Sequence, residues 1–365
     1  MKIGILTQPL ANNYGGLLQN FALQYVLKEL GHTPVTINIP YALLEENRNW
    51  MRCAWRCVKR LRGDKSILFL DSNRQLNFFN TPCERQKSFI QKHINVSELS
   101  GCGFEEFLNT NGFDAIIVGS DQVWRKAFSP DFPVFFMRDV PDSIKKITYA
   151  VSFGTDKSDI PQEEVPFYRM LVQRIDYISV REKSGVIICK SLFDREAEMV
   201  LDPTLLLNKE DYLSLMDQDN TTAPDVLAVY LLDRNQKSNA IVDSVYKTMG
   251  LKPVYIGIPT KKGFPSVESW LSTISKARFV ITDSFHGTAF SVIFQKQFLT
   301  LSNCGRGNSR METLLDIINL KGRMIDANNS GFSIENLTTI DYDSVNKSLA
   351  KMKDSSISFL LEALS

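Results

Sequence analysis

Histidine is scarce in this chain, with three among 365 residues at positions 32, 93 and 286. Cysteine is scattered: Cys53, Cys57, Cys83, Cys102, Cys189 and Cys304 contain no CxxC pair. With so few soft ligands in no ligand-like spacing, a dedicated metal site is not expected, and the cysteines read as free cytosolic thiols. No run of about 18 apolar residues exists, which excludes a transmembrane helix at the sequence level. The opening MKIGILTQPLANN has neither a basic stretch nor a small-residue cleavage site, so it reads as a first strand rather than a signal peptide. Lys+Arg is 42 against Asp+Glu 41. That balance leaves no basic excess to attract nucleic acid. GxGxxG, Walker, HExxH, EF-hand and GxSxG patterns are all missing, which removes the common dinucleotide, P-loop, zinc-protease, calcium and hydrolase-elbow readings. There is no internal repeat and no low-complexity tract.

What is present is alternation. Short apolar runs at 2–7, 33–39, 114–119, 146–153, 177–181 and 199–202 read as strands, with amphipathic stretches between several of them. The pattern restarts with strands at 226–232, 253–258, 278–282 and 298–302. Helical patterns at 236–249, 266–275, 287–295 and 309–319 separate these. Strand–helix alternation argues for parallel sheets built from βαβ units. The expected fold is α/β, with two Rossmann-like domains facing each other across a central cleft. Residues 1–204 would form the first domain, with a helical insertion at about 40–100, and 205–342 the second. The polar stretch DQDNTTAPD (217–225) suits a linker. Residues 343–365 read as a final helix able to pack back on the first domain. Within the insertion, residues 50–62 carry an apolar stripe opposite Arg52, Arg56, Lys59 and Arg60. Such a stripe is ordinarily a core face, and the other reading is peripheral contact with an anionic membrane.

Five stretches carry candidate chemistry. ANNYGGLLQNFALQ (11–24) follows the first strand and opens a helix, where open α/β sheets bind ligands. It is either a ligand loop or a tight turn capped by Asn13. FDAIIVGSDQVW (113–124) ends a buried strand on Ser120, Asp121 and Gln122, a cluster suited to hydroxyls or to capping the next turn. In YISVREKSG (177–185), Arg181 at a strand's carboxyl end suits a carboxylate or phosphate, or an ion pair with Glu182 or another acid. In ITDSFHGTAF (281–290), Asp283, Ser284 and His286 are too close in sequence to converge as a triad. His286 is then either an acid–base residue at a helix start, beside Gly287 and Thr288, or a structural cap. In CGRGNSRMETLL (304–315), Asn308 or Ser309 caps a helix whose first turn holds Arg310. A cation there opposes the helix dipole, which suggests an anion partner or a solvated side chain.

In order along the chain, NYGGLLQNFALQ, FDAIIVGSDQVW, YAVSFG, SVREKSG, VLDPTLLL, ARFVITDSFHGTAFSVIF and NSRMETLL together resemble the polysaccharide pyruvyl transferase family, to about residue 320. The resemblance implies two Rossmann-like domains in a GT-B-type arrangement with the active site in the cleft. It implies transfer of a pyruvyl group from phosphoenolpyruvate to a sugar of a cell-surface polysaccharide or its precursor, with a pyruvate ketal formed, phosphate released and no cofactor. His286 matches the family's essential histidine and Arg181 its anion-binding arginine, while Arg310 falls in the NSR motif. On this reading Arg181, Arg310, Ser284, Gly287, Thr288, Asn308 and Ser309 serve the donor. Loop position puts the acceptor against Asn13, Tyr14, Gly15, Gln19, Ser120 and Asp121, with Tyr14 as an aromatic platform. The acceptor is free, polymeric or a lipid-linked oligosaccharide, and the protein is expected in the cytoplasm, at the inner membrane face if the acceptor is lipid-linked. The competing readings are a GT-B glycosyltransferase using a nucleotide sugar and a non-catalytic carbohydrate-binding relative.

Overall fold

The computed structural model describes residues 1–39, 82–99, 103–129, 131–216, 225–260, 263–303, 305–327 and 333–365. The 50–62 stripe, with Cys53, Cys57, Cys102 and Cys304, lies outside the described residues. The first half runs β1 (Lys2–Leu6), α1 (Tyr14–Glu29), β2 (Thr33–Asn38), α2 (Glu84–His93), β3 (Val96–Glu98), α3 (Phe104–Asn111), β4 (Ala115–Val118), β5 (Lys145–Val151), α4 (Val165–Gln173), β6 (Tyr177–Val180), α5 (Lys183–Phe193) and β7 (Glu198–Met199). A short α6 (Lys209–Leu213) leads to β8 (Leu227–Tyr230), α7 (Gln236–Met249), β9 (Pro253–Tyr255), α8 (Val267–Lys276), β10 (Phe279–Thr282), α9 (Phe285–Ile293), β11 (Gln297–Leu301), α10 (Ser309–Ile317) and β12 (Met324–Ile325), and the chain closes on α11 (Tyr342–Ala363).

The strands form two sheets, ordered β3-β2-β1-β4-β5-β6-β7 and β12-β11-β10-β8-β9. Every pairing is parallel. The central strands β4, β8 and β10 are buried along their whole length, as continuous apolar runs covered on both faces require. The edge strands β3 and β12 are only three and two residues long, too short for periodicity to predict them. In each sheet the strand order reverses once, between β1 and β4 and between β8 and β10. Ligands of open α/β sheets bind at such points, beyond the carboxyl ends of the strands.

Helix α1 is buried on nearly all sides, because one side meets its own sheet and the other meets the second half. Tyr14 stacks on Trp270 at 5.5 Å, and Phe21 lies 6.5 Å from Tyr212. Leu30 and Gly31 end it, with Gly31 at φ +82° and the N–H of His32 returning to the carbonyl of Leu27. One hydrophobic cluster runs through both halves, including Ile3, Leu17, Trp270, Phe290 and Phe359. Helix α11 spans that junction. At its start the Tyr342 hydroxyl donates to the carbonyls of Ser291 and Lys296. Farther along, Ser356 Oγ accepts from Leu201 N at 2.9 Å, and Phe359 packs beside Tyr149 and Tyr177 of the first sheet.

Candidate active site

Six strand ends converge on one buried group of charges: Asp121 after β4, Arg181 and Glu182 after β6, Asp202 after β7, His286 after β10 and Arg310 after β11. The loop after β5 supplies Ser152, Phe153 and Gly154. All six charged or titratable residues are at most 7% exposed.

Asp202 anchors the group. Its Oδ1 accepts from the N–H and hydroxyl of Thr204, at 3.0 and 2.6 Å. Its Oδ2 accepts from Arg181 Nη1 at 2.5 Å and from Ser120 Oγ at 3.1 Å, and lies 3.8 Å from His286 Nε2. Arg181 turns its other terminal nitrogen to Asp121 at 3.3 Å, and its guanidinium lies 4.5 Å from the centre of the Phe285 ring. Arg310 donates to the Arg306 carbonyl and stands 3.8 Å from Asp121. Burial opposes ionisation of Asp121 and Asp202, but the charge of Arg181 outweighs it, aided by Arg310 at Asp121 and by the bonds from Thr204 at Asp202, and both carboxyls are held below their usual range.

Glu182 is the opposite case. Its Oε1 accepts from Ser152 Oγ and from the N–H groups of Phe153 and Gly154. Burial nevertheless pushes its carboxyl up, against the pull of Arg181 and Arg310. Burial also lowers His286, with Asp202 and Asp121 raising it and Arg181 and Arg310 adding to the depression. The imidazole is therefore neutral at neutral pH. Arg310 is pulled down to about 10 by burial and by the neighbouring Arg181.

Among the described residues, six buried side-chain atoms in this region have no hydrogen-bond partner: Nε of Arg181 and of Arg310, Nε2 of His286, Oε2 of Glu182, and the hydroxyls of Ser184 and Ser309. Buried polar groups are ordinarily satisfied, because leaving one unpaired costs about 1–3 kcal/mol. Such a concentration makes this group the candidate site for a polar ligand. The start of α9 adds the N–H groups of Phe285, His286 and Gly287, which helix geometry leaves without intrahelical acceptors.

Gly15 explains how the halves meet here. A Cβ on Gly15 would lie 1.9 Å from Nδ1 of His286. The imidazole from the second half therefore rests directly on the first turn of α1, and only glycine leaves it room.

Of the residues expected to touch the acceptor, Asp121 belongs to this group and Gly15 is its floor. Asn13 is exposed and sends Nδ2 toward Asp121 at 3.5 Å, while its side chain makes no cap bond to the helix. Three others are corrected. Tyr14 is no sugar platform: it is 2% exposed, its face is covered by Trp270, and its hydroxyl donates to the Pro265 carbonyl at 2.7 Å. Gln19 is wholly buried, with its amide donating to Thr7 and Gly16 and accepting from Ser120 N. Ser120 is equally buried, its hydroxyl shared between Ala150 O and Asp202.

On the donor side His286 and Arg310 keep unpartnered atoms in the site, while the unpartnered hydroxyl of Ser309 belongs to the wall of a neighbouring pocket. Arg181 keeps only Nε, so it cannot offer the open two-nitrogen fork expected of it. Its partners are Asp202 and Asp121, not Glu182. Ser284 caps α9 by position, without a side-chain cap bond. Thr288 is corrected and Gly287 keeps only its N–H for the site, because the side-chain positions of both face the sheet. A Cβ at 287 would strike Thr282 Oγ1 at 2.1 Å, and Thr288 Oγ1 is taken by Ser284 O and Thr300. Asn308 spends Oδ1 on the N–H of Asn303. Asp283 accepts from the N–H groups of Leu232 and Asp233 and ties β8 to β10, which leaves it no triad role. Asp202 and Glu182 were not singled out from sequence. The signals were an Asp-Pro pair and an acid next to Arg181, both of which read as ordinary turns or ion pairs.

Among the described residues no group of three His, Cys, Asp or Glu side chains is placed to hold a metal, and no helix is long and apolar enough to cross a membrane. A family model described as polysaccharide pyruvyl transferase matches residues 13–305. Similar solved structures include S. aureus MnaA in complex with UDP, at 11% identity and TM-score 0.51, covering 97% of this chain and 88% of that one. They also include a Thermobaculum terrenum O-GlcNAc transferase variant, at 10% identity and TM-score 0.51, covering 100% and 66%. At such identity the likeness concerns the fold alone, which is the GT-B-type pairing of two Rossmann-like units. No curated protein sequence matches.

Proposed function

The chain belongs to the polysaccharide pyruvyl transferase family, and from that premise we propose that it transfers the pyruvyl group of phosphoenolpyruvate to a sugar of a cell-surface polysaccharide or its precursor. The product is a ketal bridging two sugar hydroxyls. The observation that carries the reading is the set of unpartnered Nε and Nε2 atoms on Arg181, Arg310 and His286, residues that both halves bring together around Asp121 and Asp202. Phosphoenolpyruvate brings a carboxylate and a phosphate, and these donors together with the N–H groups opening α9 supply partners for both.

His286 is the general acid. It delivers a proton to the methylene carbon, which becomes the methyl group, and positive charge develops at the adjacent carbon. One sugar hydroxyl attacks that carbon. Phosphate leaves with cleavage of the carbon–oxygen bond, and the second hydroxyl closes the ring. Two carbon–oxygen bonds form and one breaks. Of the two hydroxyl protons, one balances the proton now in the methyl group and the other leaves with phosphate. The free imidazole is neutral, so the bound phosphate dianion has to raise its proton affinity before it can act. Asp202, 3.8 Å from Nε2, favours the same charged form.

Phosphate release from phosphoenolpyruvate, followed across galactose-, mannose- and glucose-terminated acceptors, tests the reading. Acceptor-dependent release that is lost in His286→Gln is expected. Release of a nucleotide from a nucleotide sugar, with phosphoenolpyruvate untouched, would replace it with the glycosyltransferase reading.

A further inference from the structure

A pocket of about 600 Å³ opens beside the charged group, between the first turns of α5 and α10 and the ends of β11 and β12. Its volume lies within the roughly 300–1,000 Å³ of small-molecule sites. Those two helix starts serve both places. Arg181, Glu182 and Arg310 face the charged group, while Ser184, Ser309 and Glu312 line the pocket. Two of the six unpartnered buried atoms, the hydroxyls of Ser184 and Ser309, belong to its wall.

The charge of the wall decides the kind of ligand. Lys183 pairs with Asp316, which also binds Lys321 at 2.7 Å, so both cations are spent on one acid. Asp156 and Glu312 are exposed and have no ion pair among the described residues, and Asp326 adds a further carboxylate to the wall. An anion would meet net negative charge here. A neutral molecule rich in hydroxyls would instead find carboxylates to donate to, and serine hydroxyls that both donate and accept. The loops first expected to hold the acceptor are closed by Trp270 over Tyr14 and by the bonds of Gln19 and Ser120.

We propose that this pocket is the acceptor subsite, binding the sugar ring through Ser184, Ser309, Asp156 and Glu312, with its open side leaving room for the rest of the saccharide. The assignment of the sugar as acceptor rests on the pyruvyl-transfer reading. The pocket's affinity for a sugar does not.

Ligand-observed saturation-transfer NMR with methyl β-galactoside, methyl α-mannoside and methyl β-glucoside separates the two. At least one glycoside should bind the wild type. Its signal should vanish in Ser184→Trp, which fills the pocket, and weaken about tenfold in Glu312→Ala, the scale of one hydrogen bond to a charged group. Circular dichroism checks that each variant folds. Glu312 is exposed, so its variant decides the matter if Ser184→Trp does not fold. Binding within twofold of wild type in the folded variants, or no glycoside binding to the wild type, overturns the inference. Glycoside binding that these variants abolish, in a protein that never releases phosphate from phosphoenolpyruvate, removes the pyruvyl-transfer reading and leaves the pocket a carbohydrate site.

Discussion

Gly15→Ala separates stability from chemistry more cleanly than a change at the histidine itself. Gly15 sits in the first turn of α1, in a conformation that alanine adopts freely. Helix propensity alone would stabilise the variant by up to about 1 kcal/mol. The new methyl group, however, would lie 1.9 Å from Nδ1, 2.4 Å from Cγ and 2.5 Å from Cε1 of His286. Ordinary contact between such atoms is about 3.5 Å, so the ring or the helix start has to move by roughly 1.5 Å. Overpacking of this kind costs about 1–3 kcal/mol, which largely offsets the gain in propensity. A displacement near 1 Å at a reacting group costs on the order of 100-fold in rate. The expected result is therefore a thermal midpoint within a few degrees of wild type, with kcat/KM for acceptor-dependent phosphate release down about 100-fold or more. Gly16→Ala is the matched control, since its methyl group meets only the flexible Asn13 side chain at 3.2 Å. If Gly15→Ala folds and turns over within threefold of wild type, the placement of His286 on α1 plays no part in catalysis.

Asp202→Asn should lower unfolding stability in urea by on the order of 3 kcal/mol, because the buried Arg181 loses its closer carboxylate; an unchanged midpoint would show that Asp121 suffices. Tyr14→Phe should cost about 1 kcal/mol through the lost bond to Pro265 and leave the acceptor KM within twofold, whereas a large rise in KM would restore Tyr14 to the sugar site. Phosphoenolpyruvate binding should be accompanied by proton uptake at His286. Burial depresses the proton affinity of the free His286 and the bound phosphate restores it, so the histidine's contribution tightens binding as pH falls from the bound pKa to the free one and grows no further below it. Titration calorimetry in buffers of different ionisation enthalpy should show this uptake in the wild type and not in His286→Gln; equal uptake in both would place the proton elsewhere.

The alternation of strands and helices was legible because fully buried parallel strands leave long apolar runs, and β3 and β12 escaped because short edge strands leave none. His286 and Arg310 stood out because each is chemically out of place where it occurs, a histidine at a glycine-flanked turn and a cation at a helix start. Tyr14 was misread for a reason local sequence cannot reveal: Trp270, from the other half of the chain, covers it. Gln19 and Ser120 were misread likewise, since they bond to each other across about a hundred residues. Asp202 was passed over because Asp-Pro followed by threonine reads as a capped turn. It is one, through Oδ1, while Oδ2 holds the arginine and faces the histidine. Conformational signals come from neighbours in sequence, and the site is made of neighbours in space.

The central claim is that a proton reaches the methylene carbon of phosphoenolpyruvate while sugar oxygens replace phosphate. Running the wild-type reaction in D2O and examining the product by proton and phosphorus NMR tests it directly. Inorganic phosphate is expected together with a ketal whose methyl group carries one deuterium, and neither product with His286→Gln. A product whose methylene carbon has gained no deuterium, or an equal yield from His286→Gln, would contradict it.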